Sequence, residues 1–152
     1  MKRFLSVIAI LSLVLCLLGC MSASAEEVDS NSFLLRIWDE SGLAISYLRF
    51  DTYAGENYTG LVCSSPNKGE DFYRFPYSVD SSEELKDLRI EISYGVSDLP
   101  SEDAILQVMM GNPAEEHKLL TLDFVPECGK VYDMKLVSDG EGGWLLVPVE
   151  EE

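Results

Sequence analysis

The chain has 152 residues and carries 27 Asp and Glu against 11 Lys and Arg, a formal net charge of −16, with 47% of its residues hydrophobic. That is one domain's worth of sequence with enough apolar content to bury a core. So acidic a surface disfavours nucleic acid and anionic lipid headgroups, because both hold proteins mainly by pairing phosphates with Lys and Arg.

At the amino end, Lys2 and Arg3 precede an uncharged apolar run from Phe4 to Leu18. At about 15 residues, the run has the length of an export-signal core and falls short of the ~20 residues that span a membrane. Residues 1–25 are therefore expected to be a signal peptide. Lys2 and Arg3 leave with it, so the remaining 127 residues carry about −18.

Two cleavage motifs follow the run: "LLGC" at Leu17, Leu18, Gly19 and Cys20, and "ASAEE" from Ala23 to Glu27. On these residues the segment resembles bacterial lipoprotein and secreted-protein precursors. The first motif, a lipobox, implies a signal of residues 1–19 and a lipid on Cys20, hence a membrane-anchored protein. The second implies a cut after Ala25 and release, with small side chains at Ala23 and Ala25 for the peptidase pocket. Cys16 does not fit a lipobox, because Leu15 stands where a small residue is needed. Either cut leaves the domain outside the cytoplasm, touching membrane only through the signal or the lipid.

Residues 26–32, "EEVDSNS", read as a short flexible lead to a single domain over 33–152. Period-two patterning then dominates. Strands are expected at Phe33 to Trp38, Leu43 to Tyr53, Tyr58 to Cys63, Leu88 to Tyr94, Ala104 to Met110, Lys118 to Val125 and Lys130 to Val137. In "LRIEISY" Leu88, Ile90, Ile92 and Tyr94 share one face, which is the pattern of a half-buried strand. Between Tyr47 and Leu48 the apolar phase shifts, marking either a bulge or a strand covered on both faces.

Gly, Pro, Asn and Asp punctuate the runs at Asp39 to Gly42, Tyr53 to Asn57, Ser65 to Asp71 and Gly111 to Glu116. "SDGEGG", Ser138 to Gly143, should close a hairpin with the final "WLLVPV". Two short helical turns are expected, at "SSEELKDL" with Ser81 and Glu84 at capping-box spacing, and at "PSEDA" around Ser101. Seven to nine short strands without long helices imply an all-β, antiparallel β-sandwich of immunoglobulin-like or transthyretin-like layout. In "CGKVYDMKL" Tyr132 is similarly placed to the Tyr-bearing corner of immunoglobulin-type sandwiches, the plainer alternative being a core-facing strand Tyr.

The domain retains two cysteines, Cys63 and Cys128, and in an oxidising compartment these suggest one disulfide. Closing 65 residues, it would contribute on the order of 4 kcal/mol by loop entropy. The alternative is a pair of free thiols. One His and no CxxC spacing argue against zinc, and "SDGEGG" lacks the alternating oxygen ligands of a calcium loop, so no metal and no cofactor is expected. His117 sits in the turn-like "AEEHK" with no nucleophile beside it in sequence, and no GxSxG occurs, so no catalytic residue is assigned. "NYT" at Asn57 to Thr59 is a glycosylation sequon by pattern alone.

One stretch carries recognition chemistry. "DFYRFPY", Asp71 to Tyr77, gathers Phe72, Tyr73, Phe75 and Tyr77 around Arg74, and Pro76 assigns it to an edge strand or loop. Phe72, Tyr73, Arg74 and Tyr77 are the candidate binding residues, with Phe72 and Phe75 as core filling the alternative. The expectation is a non-catalytic binding module with a protein or glycan partner at the cell surface. A structural accessory subunit joined through a strand edge is the alternative, and a protease inhibitor or small hydrolase a more distant one.

Overall fold

A computed structural model describes residues 26–150. The signal segment, the Cys20 lipobox and the cut after Ala25 lie outside these residues. Eight strands form two four-stranded sheets: β1 (Ser32–Asp39), β2 (Tyr47–Ala54), β3 (Asn57–Ser64), β4 (Phe72–Ser78), β5 (Leu88–Val96), β6 (Glu115–Thr121), β7 (Val131–Ser138) and β8 (Trp144–Pro148). Sheet A has the order β4-β1-β7-β8 and sheet B the order β3-β2-β5-β6. The fold is an all-β sandwich.

Alternation closes it. From sheet A, Phe33, Leu35, Ile37, Tyr73, Phe75, Met134 and Leu136 point inward, and from sheet B Leu48, Phe50, Ile90 and Ile92 meet them. Each of these side chains contributes about 1.5–3 kcal/mol by leaving water, which is why a one-residue register slip is not tolerated in any of these strands. Phe75 and Phe50 stack at 4.6 Å and join the two sheets at their centre. Tyr132 is the core-facing strand Tyr of the plainer alternative: its ring packs beside Phe33 and Phe124, and its hydroxyl accepts the Glu127 N–H at 2.8 Å.

One pairing departs from the antiparallel rule, since β1 and β7 run parallel. Parallel neighbours need a long connection, and here β2 to β6 supply it. The expected hairpin of β7 and β8 is formed, with Gly140 and Gly142 at positive φ. Its loop is clasped by Asp139, whose carboxylate accepts the N–H groups of Glu141 and Gly143 at 2.7 and 2.8 Å. Those bonds hold the Asp139 carboxyl below its ordinary range. The calcium-like glycines are thus a turn device.

The expected strand at Ala104 to Met110 is instead the last six residues of a helix, α1 (Ser101–Met109), and its C-cap Met110. Ala104 and Val108, four apart, bury one face on sheet B, and a helix of nine residues needs no longer stripe. Its stop signals were present in the sequence. Gly111 takes φ +79°, its N–H reaches the Val108 carbonyl, and the Asn112 N–H reaches that of Gln107, forming a Schellman ending with Pro113 beyond it. Gly111→Ala should therefore lower stability by about 1–2 kcal/mol in urea unfolding, the left-handed penalty for a residue with a Cβ. An unchanged midpoint would mean that the ending relaxes freely.

The other turn is a 3-10 turn, Ser82–Asp87, that buries Leu85. The expected capping box is not formed, because the turn closes through backbone, the Glu84 N–H donating to the Ser81 carbonyl at 3.1 Å. The phase shift at Tyr47 is resolved as coverage of both faces. Leu48 enters the main core and Tyr47 lies under α1, while the β2–β3 register shift falls between Thr52 and Tyr53. The segment read as a flexible lead is tied down: β1 already begins at Ser32, and the Glu26 carboxylate pairs with Arg74 and lies 3.9 Å from Arg36.

Candidate functional site

Strand β4 lies at the edge of sheet A, as Pro76 implied, and pairs antiparallel with β1. Its alternation divides the four candidate residues. Tyr73 is only 5% exposed, its hydroxyl 3.4 Å from the Ile45 carbonyl, and burial pushes its pKa up to about 12. Tyr77 packs on Phe33 and Phe75. Both tyrosines therefore belong to the core side, Tyr73 closed off and Tyr77 half-buried, and neither stands on the face that carries Arg74. Phe72 and Arg74 point the other way, so the core-filling alternative is also corrected at Phe72.

On that outer face the β1–β4 register sets Trp38 opposite Phe72 and Arg36 opposite Arg74. The Trp38 and Phe72 rings stand 4.9 Å apart. The Arg36 guanidinium lies 5.6 Å from the Trp38 ring and 5.5 Å from Phe72, and that of Arg74 lies 5.7 Å from Phe72. Arg36 forks onto Asp133 of β7, its Nε donating to Oδ1 at 2.5 Å and Nη2 to Oδ2 at 2.6 Å. Arg74 donates to Glu70 at 3.1 Å and pairs with Glu26. Both guanidiniums are thus neutralised by three carboxylates, and Lys135, opposite Trp38, pairs with Glu40 at 2.8 Å, so among the described residues the face offers aromatic surface and paired cations. Trp38, Arg36 and Asp133 were not foreseen as site residues. The only signal in "FLLRIW" was that Arg36 and Trp38 share the face opposite Leu35 and Ile37.

The outer face of sheet B holds a second polar cluster. Tyr47 donates its hydroxyl to Glu116 at 2.9 Å, and Arg49 donates to Asp51 twice at 2.8 Å and to Glu116 at 3.0 Å. Burial, aided by Glu116, holds the Tyr47 phenol above its ordinary pKa, and the hydrogen bond with Asp51 keeps Arg49 charged. Cys63 packs into the same cluster, against Tyr47, Ala104 and Val108, whereas Cys128 packs on the main core on the other side of sheet B. The expected disulfide is absent and both thiols are free. A bond needs Cα atoms within about 7 Å with converging Cβ vectors, and side chains on opposite faces of a sheet do not converge.

Burial pushes the Cys63 thiol up from 9.0 to about 11. Between those values the unfolded chain has lost a proton that the folded chain still holds, so stability falls as pH rises. Urea midpoints should hold from pH 7 to 9 and decline from 9 to 11, with a shallower decline in Cys63→Ala. Equal slopes in the two proteins would remove Cys63 as the cause.

His117 stacks on Tyr94 at 5.0 Å, with its Nε2 3.2 Å from Glu115. Among the described residues, no group of three or more His, Cys, Asp or Glu side chains is placed to hold a metal ion, and no helix is long and apolar enough to cross a membrane. No protein-family model, curated protein or solved structure matches this chain.

Proposed function

We propose that this chain is a non-catalytic interaction module acting outside the cytoplasm, which presents the Trp38–Phe72 face of sheet A to a protein or glycan partner. The observation that supports this reading is the aromatic pair itself. Two large rings stand together on the outer face of a strand pair, ordered by guanidiniums whose charges are already matched. Such a face recognises apolar or sugar-ring surface rather than an anion. The charge and the export signal fit a life at the cell surface. Under the lipobox reading, five residues separate Cys20 from the docked Glu26, so Glu26 would lie no more than about 20 Å from the lipidated Cys20.

A glycan array and crosslinking to surface proteins, each run with wild type and with Trp38→Ala/Phe72→Ala, tests the site. Loss of a specific signal in the variant, with its fold retained by circular dichroism, is the expected result. Equal signals, or none in either assay, remove the reading. Intact mass of the exported protein distinguishes a lipidated Cys20 terminus from one at Glu26.

A second reading, the structural accessory subunit, is favoured by one observation. The β4 edge is blunted, since Pro76 lacks a donor and Ser64 Oγ accepts the Arg74 N–H at 2.9 Å. The β3 edge of sheet B, "NYTGLVCS", has neither proline nor charge. Strand addition there would join the domain to another chain. Val62→Pro should then abolish assembly with a stoichiometric partner while sparing the Trp38–Phe72 interaction.

A further inference from the structure

Helix α1 buries one face and leaves the opposite one bare. Ala104 and Val108 seal Tyr47 against sheet B, whereas Leu106, Met109 and Met110 are 56%, 67% and 63% exposed. Leu106 stands one turn from both methionines, so the three form a single strip, and Leu99 ahead of the helix is also exposed. Among the described residues, eight large apolar side chains are exposed, and four of them fall within Leu99 to Met110.

The segment that carries this strip is acidic, although Glu116 is paired with Arg49 and Glu91 with Lys118. Between Arg89 and Lys118 the chain has six carboxylates, at Glu91, Asp98, Glu102, Asp103, Glu115 and Glu116, and no Lys or Arg. Glu102 and Asp103 stand one turn before Leu106, and Glu115 follows the helix with its side chain 75% exposed. The last turn of α1 has no basic residue to meet the negative end of the helix dipole. An apolar strip of flexible methionines between acidic ends suits a helix with Leu-type anchors and Lys or Arg on its flanks. A second copy of this acidic chain would bring like charges together, and an anionic lipid surface would be repelled in the same way.

We propose that the outer face of α1 is a docking surface for a cationic amphipathic helix of a protein partner. The partner's apolar stripe lies on Leu106, Met109 and Met110, and its basic residues face Glu102, Asp103 and Glu115. This surface is separate from the Trp38–Phe72 face, which belongs to the other sheet.

The probe is a synthetic amphipathic helix of about 14 residues, built from Leu and Lys and titrated into the purified domain by calorimetry. Its counterpart with Glu in place of Lys is the control. Wild type should bind the Lys peptide at micromolar concentration, less tightly as salt rises, and should not bind the Glu peptide. Met109→Ser/Met110→Ser keeps every charge and removes only exposed apolar surface, so its thermal midpoint should match wild type while affinity falls roughly tenfold. Equal affinity in wild type and variant would show that general acidity attracts the peptide and would overturn the proposal, as would the absence of binding. Sedimentation of the free domain as a dimer that Met109→Ser/Met110→Ser abolishes would also overturn it, by assigning the strip to a second copy. Flotation with neutral phosphatidylcholine vesicles, lost in the same variant, would overturn it in favour of lipid.

Discussion

Alanine at position 95 is expected to destabilise the protein by about 3 kcal/mol, although most strand glycines would gain stability from the change. Gly95 is buried and sits opposite Tyr47 in the β2–β5 register. The Tyr47 ring lies directly over it, so that a Cβ on residue 95 would fall on the ring carbons and the hydroxyl. The ring has nowhere to go. It is fully buried beneath Ala104 and Val108, and its hydroxyl is held by Glu116 on the far strand. The removal of backbone entropy from the unfolded chain, worth roughly 0.5–1 kcal/mol, is therefore outweighed by the clash.

A double-mutant cycle isolates the cause. In a Tyr47→Ala background, itself weakened by the lost ring, Gly95→Ala should cost nothing or be slightly favourable, a coupling of about 3 kcal/mol. Urea unfolding of the four proteins measures it. The same cost for Gly95→Ala in both backgrounds would show that the ring and the glycine are independent.

Phe75→Ala and Tyr73→Ala should each cost about 3–5 kcal/mol, a large share of the 5–15 kcal/mol that holds an ordinary domain together. Phe75 is fully buried and stacks on Phe50 across the sandwich, with Phe33 and Tyr77 at 6.0 and 5.7 Å, so its removal opens a cavity where the two sheets meet. Tyr73 lies beside it on the same face of β4. Phe72→Ala, one residue away and pointing outward, should cost no more than about 1 kcal/mol of stability and should weaken binding instead. Thermal unfolding of the three variants therefore reads the alternation of β4 directly. An unchanged midpoint in Tyr73→Ala, or a collapse in Phe72→Ala, would reverse the faces.

Reading the sequence located most strands, because alternation is local: "LRIEISY" declares its buried face in seven residues. It failed at "AILQVMM", a short apolar run whose pattern suits a strand or about two turns of helix equally. The decisive marks were the flanking Glu102, Asp103, Gly111 and Pro113. At the candidate site, Pro76 marked "DFYRFPY" as an edge strand or loop, but nothing local separated the outward Phe72 and Arg74 from the inward tyrosines. The tyrosines were misjudged because one residue of phase decides whether an aromatic is core or surface. Trp38 and Arg36 were readable as outward-facing, but not as neighbours of Phe72 and Arg74.

The sequence by itself determined the acidic charge, the strands of a sandwich, the β7–β8 hairpin and the edge position of β4, all of which follow from side-chain period, turn residues and proline chemistry within a few positions. Only the tertiary structure decided that β1 inserts between β4 and β7, that Cys63 and Cys128 face different clusters, that Tyr47 closes over Gly95 beneath α1, and that Trp38 meets Phe72. The physical reason is that the hydrogen bonds joining strands are made by a backbone common to all residues. Partner choice therefore rests on how whole faces pack together, and residues far apart in the chain supply those faces.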